Sequence, residues 1–305
     1  MQKNNSPRIT IVTPTFNRAG LLPETIESVL GQSYPNFEYI IVDDGSTDNT
    51  KEVVSKYGDE IKYIYQDNQG EPGAVNTAWR VAKGEYFAVV SSDDPMKSNW
   101  LSVALEFMDN NPDALVGYPD WILIDKESKP IQHIECFEYR HEDMVSWLHC
   151  FPGPGTIIRK SAIPNVNELR NTSYRFMSDM VTWLDLSLLG KFARIPNELA
   201  TWRAHEESIS IKCIGLDRAH ETLRMHREFF AKNLPPHIAM LERKSLSRAF
   251  HLCSVIIAQK HPRWSKYYRL RSNLTGVDDV DMPTQLKKPA FSIGALFRSG
   301  NAAAV

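Results

Sequence analysis

Several features that define common protein classes are missing from this sequence of 305 residues. No run approaches the roughly 18 apolar residues that a membrane-spanning helix needs. The formal net charge is only −2, which argues against a dedicated nucleic-acid binder. The four cysteines show no C-x-x-C pair and no metal-ligand spacing, so we expect small buried thiols in a reducing compartment and no disulfide framework. They are Cys136, Cys150, Cys213 and Cys253.

Targeting and nucleotide-loop signals are equally scarce. The polar stretch Met1–Arg8 leads straight into a strand pattern, so no signal-peptide segment is expected. Neither a P-loop nor a G-x-G-x-x-G pattern occurs. A cytoplasmic location is therefore expected, with peripheral attachment to the inner face of a membrane left open.

The first third of the chain alternates short apolar runs with amphipathic segments. Strands are predicted at Ile9–Thr13, Phe37–Val42, Ile61–Tyr65 and Tyr86–Val90, and helices at Leu21–Leu30 and Asn49–Tyr57. A glycine-rich loop is predicted at Gln69–Gly73, before a helix that ends near Gly84. Strands that alternate with helices predict a mainly parallel sheet flanked by helices, a Rossmann-like α/β architecture.

The rest of the chain is less regular and then becomes helical and basic. A Pro/Gly turn is predicted at Phe151–Gly155 and a helix across Met177–Leu189. Residues 215–272 carry 12 Lys or Arg against 4 Asp or Glu. We therefore predict a main domain at 1–212, a basic helical extension at 213–274, and a poorly ordered tail at 275–305.

Two acidic clusters follow predicted strands, namely Asp43-Asp44 and Asp93-Asp94. The carboxyl ends of parallel strands share one sheet edge, where such folds bind ligands. Carboxylates gathered there repel one another unless a cation lies between them, and a divalent metal bound to a diphosphate meets that need. A plain turn and helix cap explains Asp43–Ser46 equally well when that segment is taken alone.

The order of four segments resembles the signature of family 2 glycosyltransferases. They are Ile11–Arg18, Ile41–Asp48, Ala82–Phe87 and Ser91–Asp94, and the resemblance covers roughly residues 7–212. It implies a GT-A-type domain and a glycosyltransferase that uses a nucleotide sugar. The nucleotide would be bound by Thr13, Pro14, Asp43, Asp44, Asn68 and Asp93. An Asp in this position accepts from a uracil N3–H, which makes uridine the expected base.

The same resemblance implies a metal site. Asp93 and Asp94 match the D-x-D region whose carboxylates hold Mn²⁺ or Mg²⁺ on the diphosphate, but Ser91 stands where many relatives have the first Asp. His205, within a segment similar to Y-R-x-H-x-x-S-x-S, would supply a further ligand as a neutral imidazole. A second departure is Val75, where relatives often carry an Arg before the Asn.

Asp179 matches the catalytic base of the family's E-D segment, with Ser178 replacing the usual Glu. An inverting transfer needs such a base to deprotonate the acceptor hydroxyl. The alternative is a helix-N-terminal Asp stabilised by the helix dipole. Donor or acceptor sugar contacts are expected from Gly153, Gly155, Trp183 and Trp202, although core packing is the commoner fate of tryptophan.

The predicted reaction is therefore inverting, metal-assisted transfer from a nucleotide-diphosphate sugar, expected to be a UDP-sugar, to a hydroxyl of a glycan or lipid-linked acceptor. The basic extension is expected to approach an anionic surface, or simply to be a solvated helical face. Two alternatives stay open. One is a catalytically weak relative that binds a nucleotide or glycan, favoured by Ser91, Val75 and Ser178. The other is a nucleotidyltransferase, which would want a glycine-rich basic loop after the first strand.

Overall fold

A computed structural model describes residues 6–164, 166–205 and 215–275 of the chain. The predicted tail beyond Thr275 and the segment that follows His205 lie outside these ranges. One of the four cysteines, Cys213, also lies outside them.

Eight strands form one mixed sheet. Their order is β3-β2-β1-β4-β7-β5-β6, and β8 pairs with β5. The pairs among β1, β2, β3 and β4 are parallel, as is β5 with β8, whereas β7 runs antiparallel to β4 and β5. The strands are β1 Ile9–Thr15, β2 Phe37–Asp43, β3 Lys62–Tyr65, β4 Tyr86–Val89, β5 Ala114–Ile124, β6 Pro130–Ile134, β7 Ile157–Arg159 and β8 Lys191–Arg203.

Helices flank this sheet and continue beyond it. Six belong to the part of the chain that builds the sheet: α1 Leu22–Leu30, α2 Thr50–Ser55, α3 Gly70–Val81, α4 Trp100–Asn110, α5 His141–Trp147 and α6 Ser178–Ser187. Four follow β8: α7 Leu216–Phe230, α8 Pro236–Ala239, α9 Glu242–Ile257 and α10 Pro262–Leu274. The predicted α/β architecture with a C-terminal helical extension is confirmed.

The parallel half of the sheet is buried on both faces. In β1, Ile9, Ile11 and Val12 have no exposed surface. Ile9 and Ile11 belong to a hydrophobic cluster with helix α1, whereas Val12 packs with helix α3. Continuous β-branched runs are typical of strands covered on both sides. The register pairs Thr15 with Asp43, so β1 and β2 end side by side and their loops begin at one edge.

The glycine-rich segment predicted as a loop is the first turn of α3. Gly70 enters the helix with a φ of +79°, a conformation that favours glycine. Its N–H and that of Gln69 donate to Asp44, which therefore satisfies the free end of the helix. Pro72 is compatible with a first turn because its missing N–H would have no partner there. The prediction failed because the capping carboxylate belongs to Asp44, which directly follows β2 and is 26 residues away from Gly70.

The helical extension is joined to the main core. Met225 and Phe229 of α7 belong to the same hydrophobic cluster as α3 and α6. Glu221 of α7 accepts hydrogen bonds from the backbone N–H groups of residues 175–177, at 2.9, 2.8 and 3.2 Å. Lys232 forms an ion pair with Asp185 of α6. The extension thus supports the loop that leads into α6.

The outer helices form a smaller cluster of their own. Ala219, Cys253, Ile257 and Tyr268 pack together between α7, α9 and α10. The far side of α10 is different, since Trp264, Tyr267, Leu270 and Leu274 are 52%, 44%, 57% and 71% exposed. Across the described ranges, no helix is long and apolar enough to cross a membrane.

Candidate active site

Two loops interlock at the carboxyl edge of the sheet, where β1 and β2 end. Asn17, with a φ of 53°, receives a hydrogen bond from the Thr47 N–H on its side-chain oxygen and donates its own N–H to Ser46 Oγ. Gly45 has a φ of +85°, and a Cβ on it would lie 3.1 Å from the backbone nitrogen of Asn68. A side chain at position 45 would therefore be strained twice, which explains a glycine in the Asp-Asp-Gly-Ser segment.

Asp43 and Asp44 hold this edge together. The Asp43 carboxylate accepts from Ser46 N–H at 2.8 Å and from the Tyr63 hydroxyl at 2.6 Å. Asp44 accepts from the Gln66 side chain and from the N-terminal N–H groups of α3 at 2.7–2.9 Å. Both residues are at most 3% exposed. Asp43 and Asp44 are predicted to contact the base and ribose. In the structure, their carboxylates accept hydrogen bonds from protein groups and thereby fix the loop after β2.

The other residues predicted to bind the nucleotide differ in their exposure to solvent. Thr13 has no exposed surface and its hydroxyl lies 2.9 Å from that of Tyr39, so its side chain faces the interior and its nucleotide contact stays a prediction. Pro14 is half-buried and Asn68 is exposed. The exposed aromatics Phe16 and Tyr65 stand at the ends of β1 and β3. These two residues were not predicted, because the pattern of apolar residues in the sequence does not show which aromatic side chains are exposed.

The second acidic cluster pairs with the distant histidine. His205 Nε2 lies 2.7 Å from Asp93 Oδ2, and both side chains are partly accessible. Asp94 is instead 3% exposed and accepts from the Arg203 N–H at 2.8 Å and from the Ser91 hydroxyl. Burial, and then the neighbouring charge of Asp93, holds the pKa of Asp94 well above its usual range. The predicted three-ligand set is thereby corrected, because Asp94 faces the interior.

Arg203 holds this cluster in place through hydrogen bonds, a role that was not predicted from the sequence. The side chain is 1% exposed. Its Nε donates to the Asp93 carbonyl at 2.9 Å, Nη1 donates to the 125–128 turn, and Nη2 donates to Glu24 at 2.7 Å. A buried guanidinium with all of its nitrogens bonded is a rigid framework element. His205, which contacts Asp93, follows two residues after Arg203, the last residue of β8.

Asp93 and His205 are suitable ligands for a divalent cation, but two side chains alone do not complete its coordination. A carboxylate and an imidazole are both accepted ligands of Mn²⁺. In the part of the chain that the structure describes, no group of three or more His, Cys, Asp or Glu side chains is arranged to hold a metal. An ion at this pair would take its remaining ligands from phosphate oxygens and water, as Mg²⁺ does in nucleotide sites.

The predicted base lies in a separate charged group. Asp179 is exposed in the first turn of α6 and accepts from the Met180 N–H at 2.6 Å. Burial raises the pKa of Glu71, and the charge of Asp179 raises it further. Arg170 Nη2 lies 3.7 Å from Glu71 Oε1. Cys150 is exposed, so the expectation of uniformly buried cysteines is wrong at this position.

The predicted sugar-contact residues separate into exposed and internal ones. Trp202 is half-buried and its ring centroid lies 6.2 Å from that of Trp121, against which Gly153 packs.

Trp183 is 7% exposed and lies beneath Arg170, whose Cζ is 5.5 Å from the ring centroid. A Cβ on Gly155 would lie 2.8 Å from Ala200 Cβ, so its close neighbours are protein. Trp183 and Gly155 are therefore supports, and the predicted direct sugar contact does not fit them.

Short contacts connect Asp44 to the start of α3 and to the loop before α6. Glu71 follows directly after Gly70, whose N–H donates to Asp44. Glu71 Oε1 lies 3.7 Å from Arg170 Nη2. Asp44, Glu71 and Arg170 therefore form one connected group, and the charge of Asp179 acts on Glu71.

Residues 10–166 match the glycosyl transferase family 2 profile. The chain is also 31% identical over 216 residues to a putative teichuronic acid biosynthesis glycosyltransferase, TuaG of Bacillus subtilis, covering 68% of this chain and 83% of TuaG. The chain belongs to glycosyl transferase family 2. This family 2 glycosyltransferase is 36% identical over 136 residues to an uncharacterised glycosyltransferase of Rickettsia typhi. That match covers 44% of the chain and 42% of the Rickettsia protein.

Solved structures share the fold of this family 2 glycosyltransferase. S. aureus TarS, solved in complex with UDP, superposes with a TM-score of 0.63 at 17% identity, covering 88% of each chain. The mannosyltransferase PcManGT of Pyrobaculum calidifontis, solved with GDP-Man and Mn²⁺, gives 0.61 at 16% identity, covering 98% of this chain and 80% of that one. The predicted GT-A-type architecture and the glycosyltransferase assignment are confirmed.

Proposed function

We propose that this glycosyltransferase transfers a sugar from a UDP-sugar to a hydroxyl of a glycan or lipid-linked acceptor, with inversion and with help from Mn²⁺ or Mg²⁺. The observations that support the proposal are the exposed Asp179 carboxylate and the partly accessible Asp93–His205 pair. The complexes of TarS with UDP and with UDP-GlcNAc support a uridine donor by analogy. PcManGT, with GDP-Man and Mn²⁺, supports metal assistance.

In this proposal the nucleotide lies along the edge formed by the β1 and β2 loops. Asp43 and Asp44 act there by fixing the loop, and ligand contacts come from exposed groups such as Asn68 and from the backbone of Thr13 and Pro14. Asp93 faces the phosphates. This division follows from accessibility, because a carboxylate whose lone pairs are taken by protein donors has little left for a ligand.

Asp93 and His205 would hold the cation, which neutralises charge on the departing diphosphate. Arg203 orients Asp93 through the Asp93 carbonyl, and His205 follows the end of β8 by two residues. Asp94 contributes by keeping the turn in place. A neutral imidazole is required for ligation, so the accessible nitrogen of His205 must stay unprotonated.

Asp179 is assigned the role of general base. Its carboxylate takes the proton from the acceptor hydroxyl as that oxygen bonds to the anomeric carbon, while the bond from that carbon to the diphosphate oxygen breaks. UDP leaves with the electron pair, and attack from the opposite face gives inversion. The backbone hydrogen bond to Asp179 Oδ1 fixes the carboxylate and leaves Oδ2 for the acceptor.

The basic outer helices are proposed to bring the enzyme to an anionic surface that carries the acceptor. Trp264 and Tyr267 on α10 are exposed beside Arg263, Lys266 and Arg269. Aromatic and cationic side chains on one helix suit the interface between lipid headgroups and water.

Asp179→Asn tests the base directly. The variant is expected to lose 10²- to 10⁴-fold in transfer rate, by the order of magnitude usual for general bases, while UDP affinity stays within about twofold because a base acts in the transition state. Asp185→Asn, on the same helix but paired with Lys232, is the matched control and should remain active. Equal activity in Asp179→Asn and wild type would refute the assignment.

Donor class is tested by thermal shift with UDP, GDP and CDP, each with and without Mn²⁺. Ligands that bind only the folded state raise the unfolding temperature. Stabilisation by UDP that increases with Mn²⁺ is expected. Equal stabilisation by all three nucleotides would remove the uridine assignment, and none by any would favour a relative that has lost its donor site.

A further inference from the structure

Arg170 is a buried cation whose bonding is incomplete. The residue is 6% exposed, yet its Nε and Nη1 have no hydrogen-bond partner in the described part of the chain. Its main chain is fully engaged, since its N–H donates to Asn76 Oδ1 and its carbonyl accepts from Asn76 Nδ2, both at 2.8 Å. The guanidinium lies over Trp183. An unpaired buried donor costs about 1–3 kcal/mol in general. Nε and Nη1 are closed off from solvent, so the guanidinium can reach a ligand only through Nη2, the nitrogen nearest Glu71.

Glu71 provides a hydrogen-bond acceptor beside Arg170. The Glu71 side chain is 40% exposed, and partial burial by the surrounding protein raises its pKa. Accessibility combined with desolvation is typical of the wall of a cleft. The 3.7 Å separation from Arg170 Nη2 is longer than a hydrogen bond, so both groups retain capacity for a third partner.

The pair lies between the nucleotide edge and the proposed base. Glu71 is next to Gly70, which donates to Asp44, and the Asp179 carboxylate acts electrostatically on Glu71. In an inverting transfer the donor sugar must occupy that interval, since its anomeric carbon faces the base-activated hydroxyl on one side and the diphosphate on the other. The pair is thus placed beside the donor sugar.

We propose that Arg170 and Glu71 form a binding site for adjacent hydroxyls of the donor sugar; this inference rests on the proposed function. Arg170 donates through Nη2, and Glu71 accepts a hydrogen bond from a neighbouring hydroxyl. The three charged side chains Arg170, Glu71 and Asp179 sum to −1 when all are ionised, which disfavours an anionic sugar and favours a neutral polyhydroxylated one.

The test compares the dissociation constants of UDP and UDP-sugars in Arg170→Lys, Glu71→Gln and wild type. The probes are UDP-glucose, UDP-galactose and UDP-N-acetylglucosamine, measured with Mn²⁺ by calorimetry. The Kd ratio of the best-bound UDP-sugar to UDP is expected to rise at least tenfold in both variants, about 1.4 kcal/mol, while the Kd of UDP stays within twofold. Arg80→Lys and Glu168→Gln, an exposed ion pair elsewhere, are the matched controls and should leave the ratio unchanged.

The outcomes separate the two proposals. An unchanged ratio in both variants, with wild type binding UDP-sugar, overturns the Arg170–Glu71 site alone. Equal weakening of UDP and UDP-sugar also overturns it, since a structural role predicts that pattern. Wild type that binds neither UDP nor any UDP-sugar removes the proposed function and this site with it. Unfolding temperatures within a few degrees of wild type confirm that the variants are folded.

Discussion

Two buried arginines in this enzyme show how differently the same side chain is used. Arg203 lies under the Asp93–His205 pair with every guanidinium nitrogen bonded. Arg170 lies near Asp179 with two nitrogens unpartnered within the described ranges. A satisfied buried cation stabilises the framework, whereas an unsatisfied one retains binding capacity at a cost to stability. Burial alone therefore does not distinguish a structural arginine from a ligand-binding one.

The largest expected effect is on folding stability. Arg203→Met should lower the free energy of unfolding by at least about 3 kcal/mol, because several charge-assisted hydrogen bonds are lost. Arg170→Met should change it by less than about 1 kcal/mol, since removal of two unpaired donors offsets the lost packing on Trp183. Urea unfolding of both variants measures the difference. Equal destabilisation would end the contrast between the two arginines.

Next in size is the effect of removing the histidine that Arg203 helps to position. His205→Ala should weaken UDP binding in Mn²⁺ roughly tenfold, about 1.4 kcal/mol, and leave binding without metal nearly unchanged. The exposed His133, paired with Glu198, gives the control His133→Ala. UDP affinity with and without Mn²⁺ is the measurement. If the metal strengthens UDP binding equally in His205→Ala and wild type, His205 is not a ligand.

A smaller effect is expected where the extension supports the Asp179 end. Glu221→Gln should reduce kcat by about three- to tenfold, less than the 10²-fold that a full ångström of misplacement costs, while UDP affinity is unchanged. The physical reason is the loss of charge that holds three N–H groups before α6. Glu228→Gln on the same helix, which accepts from the Tyr174 hydroxyl, is the control. Unchanged kcat in Glu221→Gln would show that the loop needs no such support.

The smallest effect concerns the outer surface, where side chains face solvent rather than a cleft. Arg263→Gln, Lys266→Gln and Arg269→Gln on α10 should each weaken binding to anionic vesicles by about fivefold, near 1 kcal/mol per charge. Lys51→Gln and Lys56→Gln, at α2, are controls of equal charge. Cosedimentation at low and high salt measures the effect. No binding by wild type at low salt would leave α10 as a solvated helical face.

The architecture could be predicted because its signal is local. Buried strands such as β1 and β2 carry β-branched runs, and the parallel order follows from their alternation with helices. The start of α3 could not be predicted, because the group that caps it belongs to Asp44, in the loop after β2. Local patterns record a residue's neighbours in sequence, not those across the sheet.

The sequence predicted which kinds of residue line the candidate site better than it predicted which side chains are accessible. The motifs named Asp93, His205 and Asp179, and the structure keeps all three accessible. The same motifs named Asp94 and Thr13, whose polar atoms face other protein groups. Glu71 and Arg170 lay outside every motif, since their meeting depends on the Asn76 contact that positions the 169–170 backbone. Accessibility and long-range pairing were the missing information.

The bond from Arg203 to the Asp93 carbonyl spans 110 residues of chain, which has a consequence for biosynthesis. At about 5–20 residues per second, a ribosome needs roughly 5–20 seconds to make that interval. During this time the parallel strands and the interlocked loops after β1 and β2 can fold, but neither Arg203 nor His205 has been made. A nascent chain would therefore form the interlocked loops first and the Asp93–His205 pair only after β8 has been inserted beside β5.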